Sequence, residues 1–237
     1  MTDPTAPGPL AATAALMADP ARARMLAAMM SGEALTAGEL ARIAGVVPAT
    51  ASGHLARLAE GGLITVHAQG RHRYHRLASE EVAAVIETLG GLAARIAPAR
   101  PWKHGETARQ SRLCWNHLAG RLGVALHQRL TGTGWLMPVS GGWTASAEGR
   151  ARLAATGVDL DQANTAKRFA CDCMDWSERR PHLAGGLGRE IATAWLARGW
   201  LRRLPGDGDG DVLARRRIAV TPEGARGLHE GLGLDAA

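Results

Sequence analysis

Residues 171–186, CDCMDWSERRPHLAGG, put two thiols two positions apart. They are followed by Asp175, Trp176, Glu178, Arg179, Arg180 and His182. The third cysteine, Cys114, has His117 three residues on and Trp115 beside it. Thiolates and imidazoles in such numbers suit a soft or borderline metal ion such as Zn(II), As(III) or Hg(II), with Cys114, Cys171 and Cys173 as the sulfur ligands and His117 or His182 as partners. A redox switch would use one thiol as the reactive thiolate and another to resolve it. Arg179 and Arg180 favour the thiolate, whereas Asp172 and Asp175 oppose it. Trp115 and Trp176 beside the cysteines could instead line a pocket for a small organic effector. The plainest reading makes Cys114 and Cys173 small buried hydrophobes. These alternatives stay open at this level, and no cofactor is assigned beyond a soft metal ion or small organic effector.

Catalysis is the weakest reading. Cys114/His117 or Cys173/His182 could be cast as nucleophile and base, but no phosphate-cradling glycine loop, H-E-x-x-H or G-x-S-x-G occurs in the chain. The expectation is a protein that is not an enzyme. SERR (177–180) reads as a charged helix start with Ser177 as cap and Glu178 in the first turn.

The elements around these residues divide the chain. All seven tryptophans and the single Phe lie beyond residue 100, and the Pro-containing stretch 97–106 suggests a boundary there. The expected organisation is a disordered tail over 1–9, a first domain over 10–100 and a second over 101–237. With 237 residues, 46% hydrophobic and 21% charged, the composition is that of a globular protein. No apolar run is long enough for a membrane span, the start is expected to be a short tail rather than a signal peptide, and three cysteines make no disulfide framework. A cytoplasmic protein without a membrane partner is the expectation. The formal charge of +6 is spread thinly: residues 1–100 carry 9 basic and 8 acidic residues. Any nucleic-acid claim must therefore rest on a motif.

That motif is in the first hundred residues. Asp19-Pro20 caps and opens a helix. Thr36 and Glu39 have capping-box spacing ahead of a short helix that Gly45 ends. Pro48 opens a further helix with Ala51, Leu55 and Leu58 on its apolar face, and Gly61-Gly62 stops it. LITVHAQGRHRYHRL alternates around Gly70 as a β-hairpin, and a last helix follows Ser79. Helix, tight turn, helix and basic hairpin make a winged helix-turn-helix, whose second helix enters the major groove of double-stranded DNA. Its exposed part presents Ala49, Thr50, Ser52, Gly53 and His54 to base edges and Arg57 to phosphate, while Arg71, His72 and Arg73 sit at the wing tip.

From Ala18 to Leu77 the sequence resembles the ArsR family of bacterial repressors. The resemblance implies a dimeric transcriptional regulator whose terminal helices pair. It also marks departures: the family's cysteine site in the first helix of the reading pair has no counterpart in ELARIAG, and the helix SEEVAAVIETLGGLAARI has no His for the other usual site. Sensing, where it occurs, must sit elsewhere.

The second half repeats itself. HLAGRLGVALHQRLTGTGWL (117–136) and HLAGGLGREIATAWLARGWL (182–201) share nine of twenty positions without a gap, and SAEG (146–149) answers TPEG (221–224). Each copy, about 112–161 and 173–235, reads as a helix beginning at its His, a Gly-Trp-Leu turn, a hairpin and a second helix, that is, a degenerate winged-helix half. Gly120/Gly123 and Gly185/Gly188 would let the two helices approach closely. This half resembles the C-terminal extension of longer ArsR-type regulators, with C-x-x-H-L-A-G on Cys114, His117, Leu118, Ala119 and Gly120. C-x-D-W-S-E-R falls on Cys173, Asp175, Trp176, Ser177, Glu178 and Arg179, leaving Cys171 outside. The expected class is mainly α with small β-hairpin wings (α+β). Residues 171–186 should form a helix-start junction that brings both thiols to one cleft with Trp115 and Trp176. Cys114, Trp115, His117, Cys171, Cys173, Trp176, Glu178, Arg179 and His182 are the candidate effector-sensing residues. The expected function is an effector-responsive repressor that binds its operator as a homodimer. The alternative is a constitutive or architectural DNA-binding protein whose second half only dimerises.

Overall fold

Capping chemistry fixes the first elements. The computed structural model describes residues 7–70, 72–96, 105–205 and 213–235, so the wing-tip residue Arg71 and Trp102 lie outside the described residues. Helix α1 (Pro7–Ala18) begins inside the stretch expected to be a disordered tail. Prolines at 7 and 9 suit a first turn, where no intrahelical N–H is needed. Asp19 accepts hydrogen bonds from the backbone N–H groups of Ala21 and Arg22 and so caps α2 (Pro20–Met29). Short strand β1 (Leu35–Thr36) leads into α3 (Ala37–Ala44), and the Thr36–Glu39 capping box closes in both directions. Gly45, at φ 71°, ends α3 in the left-handed region that favours glycine.

Helix α4 (Pro48–Glu60) then buries Ala51, Leu55 and Leu58 and leaves its opposite face in water. Strands β2 (Ile64–Gln69) and β3 (His72–Leu77) pair antiparallel across the Gly70 turn, with Gln69 opposite His72. β1 adds to the other edge of β3. Helix α5 (Glu80–Ile96) follows Ser79 as expected. Two compact units result. The first comprises the described residues within Met1–Ile86 and Asp207–Arg215, and the second those within Glu87–Gly206 and Arg216–Ala237.

The second unit contains α6 (Gly105–Gln110), then hairpin β4 (Arg112–Cys114) and β5 (His117–Ala119), then α7 (Gly120–Gly132). Hairpin β6 (Leu136–Val139) and β7 (Gly142–Ala145) leads to α8 (Ala147–Ala155) and α9 (Leu160–Asn164). The same order returns in hairpin β8 (Cys171–Asp175) and β9 (Arg180–Ala184), α10 (Gly185–Ala197), β10 (Leu201–Arg203) paired with β11 (Ile218–Val220), and α11 (Pro222–Leu232). Among the described residues the chain is thus mainly helical with small antiparallel hairpins.

Matched positions do matched work. Leu118, Leu122, Leu126 and Leu130 are buried, as are Leu183, Leu187, Ile191 and Trp195, and all eight share one core. The S/T-x-E-G motif is a helix cap against a tight wall: Ser146 accepts from Gly149 N–H and Thr221 from Gly224 N–H. A Cβ at Gly149 would lie 2.2 Å from Trp135 O, and one at Gly224 would lie 2.1 Å from Trp200 O, so neither position admits a side chain.

Two expectations fail. The helices do not start at His117 and His182, because those residues are strand residues and α7 and α10 start three residues later. SERR (177–180) is not a helix start: residues 176–179 turn the chain from β8 to β9. The reason is Asp175, whose carboxylate accepts from the Ser177 and Glu178 N–H groups and folds the segment back as an Asx-type turn.

Candidate functional site

In the first unit, α4 carries the residues expected to face DNA. Ala49, Thr50, Ser52, Gly53 and Arg57 are exposed, and so are His72 and Arg73 on the wing. The Ser52 hydroxyl donates to Pro48 O at 3.0 Å. His54 is half-buried, with Nδ1 3.3 Å from Arg22 Nη1 and Nε2 3.9 Å from Asp19 Oδ1. Arg22 was not singled out by sequence. It is buried and donates to Ala15 O and Leu16 O, tying α2 to the end of α1.

In the second unit, the two hairpins set a Cys directly across from a His: Cys114 opposite His117, and Cys173 opposite His182. The four ligand atoms lie within 4.8 Å of one another. His117 Nε2 and His182 Nε2 are 3.2 Å apart. His117 Nδ1 faces Asn116 Oδ1 at 3.1 Å. His182 Nδ1 faces Asp175 Oδ2 at 3.5 Å, within ion-pair range though too loosely aligned for a hydrogen bond. The hydrogen bond with Cys173, full burial and the nearby Glu87 charge together push the Cys114 thiol up to about 12. Without a metal, the Cys114 sulfur is thus held as a thiol.

The small glycines have a different use from the one expected. A Cβ at Gly188 on α10 would come 3.2 Å from His117 Cβ, and one at Gly123 on α7 would come 3.4 Å from His182 Cβ. The tighter contacts are 2.4 Å, from Gly188 to Leu183 O and from Gly123 to Leu118 O, so each glycine lets its helix close on the strand before it.

Behind the cluster is a buried ion pair that sequence reasoning missed. Arg112 and Asp175 are both fully buried, with Nη2 2.8 and 2.9 Å from the two carboxylate oxygens. Gly120 N–H, Ser177 N–H and the Ser177 hydroxyl also donate to Asp175. Burial alone would raise the Asp175 carboxyl, but Arg112, His182, Gly120 and Ser177 outweigh it and hold it well below the usual range. Trp176 lies under the Arg112 guanidinium at 5.0 Å, and Glu178 accepts from Arg109 at 2.8 Å. Arg179 sits exposed in the turn at φ 56°. Of the candidate sensing residues, Asp175's neighbours Trp176, Glu178 and Arg179 thus build the turn, and Trp115 is the positive-φ residue of the first hairpin. Cys171 pairs with Ala184 and is not one of the four. Buried Glu87, 3.4 Å from Arg216 Nη2, completes the missed charges. Arg216 also donates to Leu113 O at 2.7 Å.

The missed geometry had one sequence signal. Cys-x-x-His across a two-residue turn makes the two residues cross-strand neighbours, whereas the helix assigned to 117–132 would have separated their directions.

A capped helix pair with an exposed second helix and a wing defines a winged helix-turn-helix DNA-binding protein. A helix-turn-helix domain family model matches residues 17–67, overlapping the Ala18–Leu77 stretch that resembles the ArsR family. The chain is 38% identical over 199 residues to YdfF of Bacillus subtilis (strain 168), an uncharacterized HTH-type transcriptional regulator, covering 83% of this chain and 88% of that one. The chain belongs to this family of helix-turn-helix transcriptional regulators, and it is a DNA-binding regulator. Among solved structures it is similar to HlyU from Vibrio cholerae N16961 (29% identity, 36% of this chain and 91% of that chain, TM-score 0.33). It is also similar to the homodimeric winged helix-turn-helix DNA-binding domain of Mb0332 from Mycobacterium bovis (24% identity, 41% and 89%, TM-score 0.37). Among the described residues, no helix is long and apolar enough to cross a membrane.

Proposed function

We propose that the protein is an effector-responsive repressor that binds its operator as a homodimer, reading sequence through α4 and the wing. The observation that carries this reading is the exposed face of α4, with Ala49, Thr50, Ser52 and Arg57 in water opposite a buried Ala51-Leu55-Leu58 face. Hydroxyls and methyl groups there suit base edges, and arginines suit phosphates. Dimerisation is supported by α5, where Val85, Leu89, Leu92 and Ile96 are 46%, 47%, 41% and 74% exposed at helical spacing. A continuous apolar stripe in water favours a partner helix. The effector response is assigned to the second unit, whose two hairpins meet at Cys114, His117, Cys173 and His182, with Trp115, Cys171, Trp176, Glu178 and Arg179 as the further candidate residues.

Thr50→Ala and His54→Ala are expected to cost about 1–3 kcal/mol on a selected site and to relax specificity there, whereas Arg73→Ala should weaken all duplexes alike and flatten the salt dependence. Fluorescence anisotropy on a selected and a scrambled duplex at several salt concentrations separates the two behaviours. Equal losses on both duplexes for Thr50→Ala and His54→Ala would remove these residues from base readout.

A further inference from the structure

Cys114, His117, Cys173 and His182 belong to the second unit, and α4 and the wing to the first. We propose that these four side chains are the complete ligand set of a tetrahedral Zn(II) site that fastens hairpin β4–β5 to hairpin β8–β9.

The donors are two sulfurs and two imidazole nitrogens, one set from each hairpin, and their atoms lie within 4.8 Å of one another. With Zn–N of roughly 2.0–2.1 Å and Zn–S of roughly 2.3 Å, a tetrahedron has N···N edges of about 3.3 Å and S···S edges of about 3.8 Å. The observed Nε2···Nε2 distance of 3.2 Å is such an edge. Both Nδ1 atoms face oxygen, on Asn116 and on Asp175. With the ring protons on Nδ1, two Nε2 lone pairs are directed at one place. Such lone pairs repel unless a cation lies between them. An imidazole that ligates through Nε2 while Nδ1–H faces a carboxylate or amide oxygen is the usual outer support of a bound metal.

Charge closes as well. Two thiolates neutralise one Zn(II), and the two imidazoles enter neutral. The adjacent buried carboxylates Asp175 and Glu87 already have Arg112 and Arg216 beside them. On binding, two Zn–S and two Zn–N bonds form, two S–H bonds break, and both protons pass to solvent, with no change of oxidation state. Four protein ligands leave no open position, which makes the site structural rather than catalytic.

The test uses the full chain, reduced and stripped of metal, titrated with Co(II) and then with Zn(II). One Co(II) per chain is expected, with thiolate-to-cobalt charge-transfer absorption and tetrahedral visible bands that one equivalent of Zn(II) erases. Cys171→Ser should keep the spectrum, and Cys173→Ser, at a half-buried position, should lose charge-transfer intensity. Cys114→Ser should do the same, with circular dichroism checking that it folds. Asn116→Ala, which removes the partner of His117 Nδ1, should weaken binding about 10- to 100-fold. No charge-transfer band in the reduced wild type would overturn the site and leave the two histidines sharing a proton. A band that survives in both Cys114→Ser and Cys173→Ser, or one that disappears in Cys171→Ser alone, would overturn the ligand set.

Discussion

Asp175→Ala is expected to destabilise the second unit severely. It would leave Arg112, with 0% side-chain exposure, as a buried charge without its carboxylate, and it would strip acceptors from Gly120 N–H and from the Ser177 N–H and hydroxyl. Removing one partner of a buried ion pair costs about 3–5 kcal/mol, a large part of the roughly 5–15 kcal/mol that holds a domain together. The natural control is three residues away on the same strand. Asp172 also accepts two hydrogen bonds, from His127 Nε2 at 2.8 Å and Trp143 Nε1 at 2.6 Å, but its side chain is 51% exposed. Water can take its place, so Asp172→Ala should cost at most about 1 kcal/mol. Denaturant unfolding of both variants, followed by tryptophan fluorescence from the second unit, makes the comparison. Equal losses would show that the Arg112–Asp175 pair contributes no more than a surface contact.

The second large effect concerns α5. Leu89→Glu combined with Leu92→Glu places two carboxylates on the exposed apolar stripe, 47% and 41% exposed in the single chain. Both positions are open to solvent, so the isolated chain should fold. Pairing would instead bury two unpaired charges, which is prohibitive. A dimer that loses its partner keeps only one half-site, and binding to a selected duplex should fall to the non-specific level, at least about a thousandfold weaker. Sedimentation would read the mass and anisotropy the affinity. A double variant that remained dimeric would move the interface off this face.

The first unit was legible because its signals are local. The Asp19, Thr36 and Ser79 helix starts, the Gly45 and Gly61 stops and the alternation around Gly70 each act within a few residues of where they stand, and each element formed where its signal placed it. In the second unit the small hairpins and helices were expected, but the helix starts were misread. HLAG has helix-forming residues, yet in both copies its first three residues are pulled into a strand by pairing with the segment before them. Tertiary pairing overrode propensity there. Asp172 and Asp175 show the remaining limit. They are the same residue type on one strand, and only the distant Arg112, 63 positions from Asp175 along the chain, distinguishes a surface carboxylate from a buried one. The convergence of Cys114 and Cys173 was foreseen from the repeat. The inclusion of both histidines, and the exclusion of Cys171, needed the register of two hairpins.

The most direct measurement of sequence-specific binding through α4 is a selection of the purified full chain against duplexes with a randomised core. The expected result is an enriched inverted repeat, with half-sites about one helical turn apart for a two-fold dimer. Thr50→Ala should keep the spacing but lose base preference within each half-site. Recovery of no enriched sequence, or of the same preferences from the wild type and from Thr50→Ala, would contradict readout by this helix.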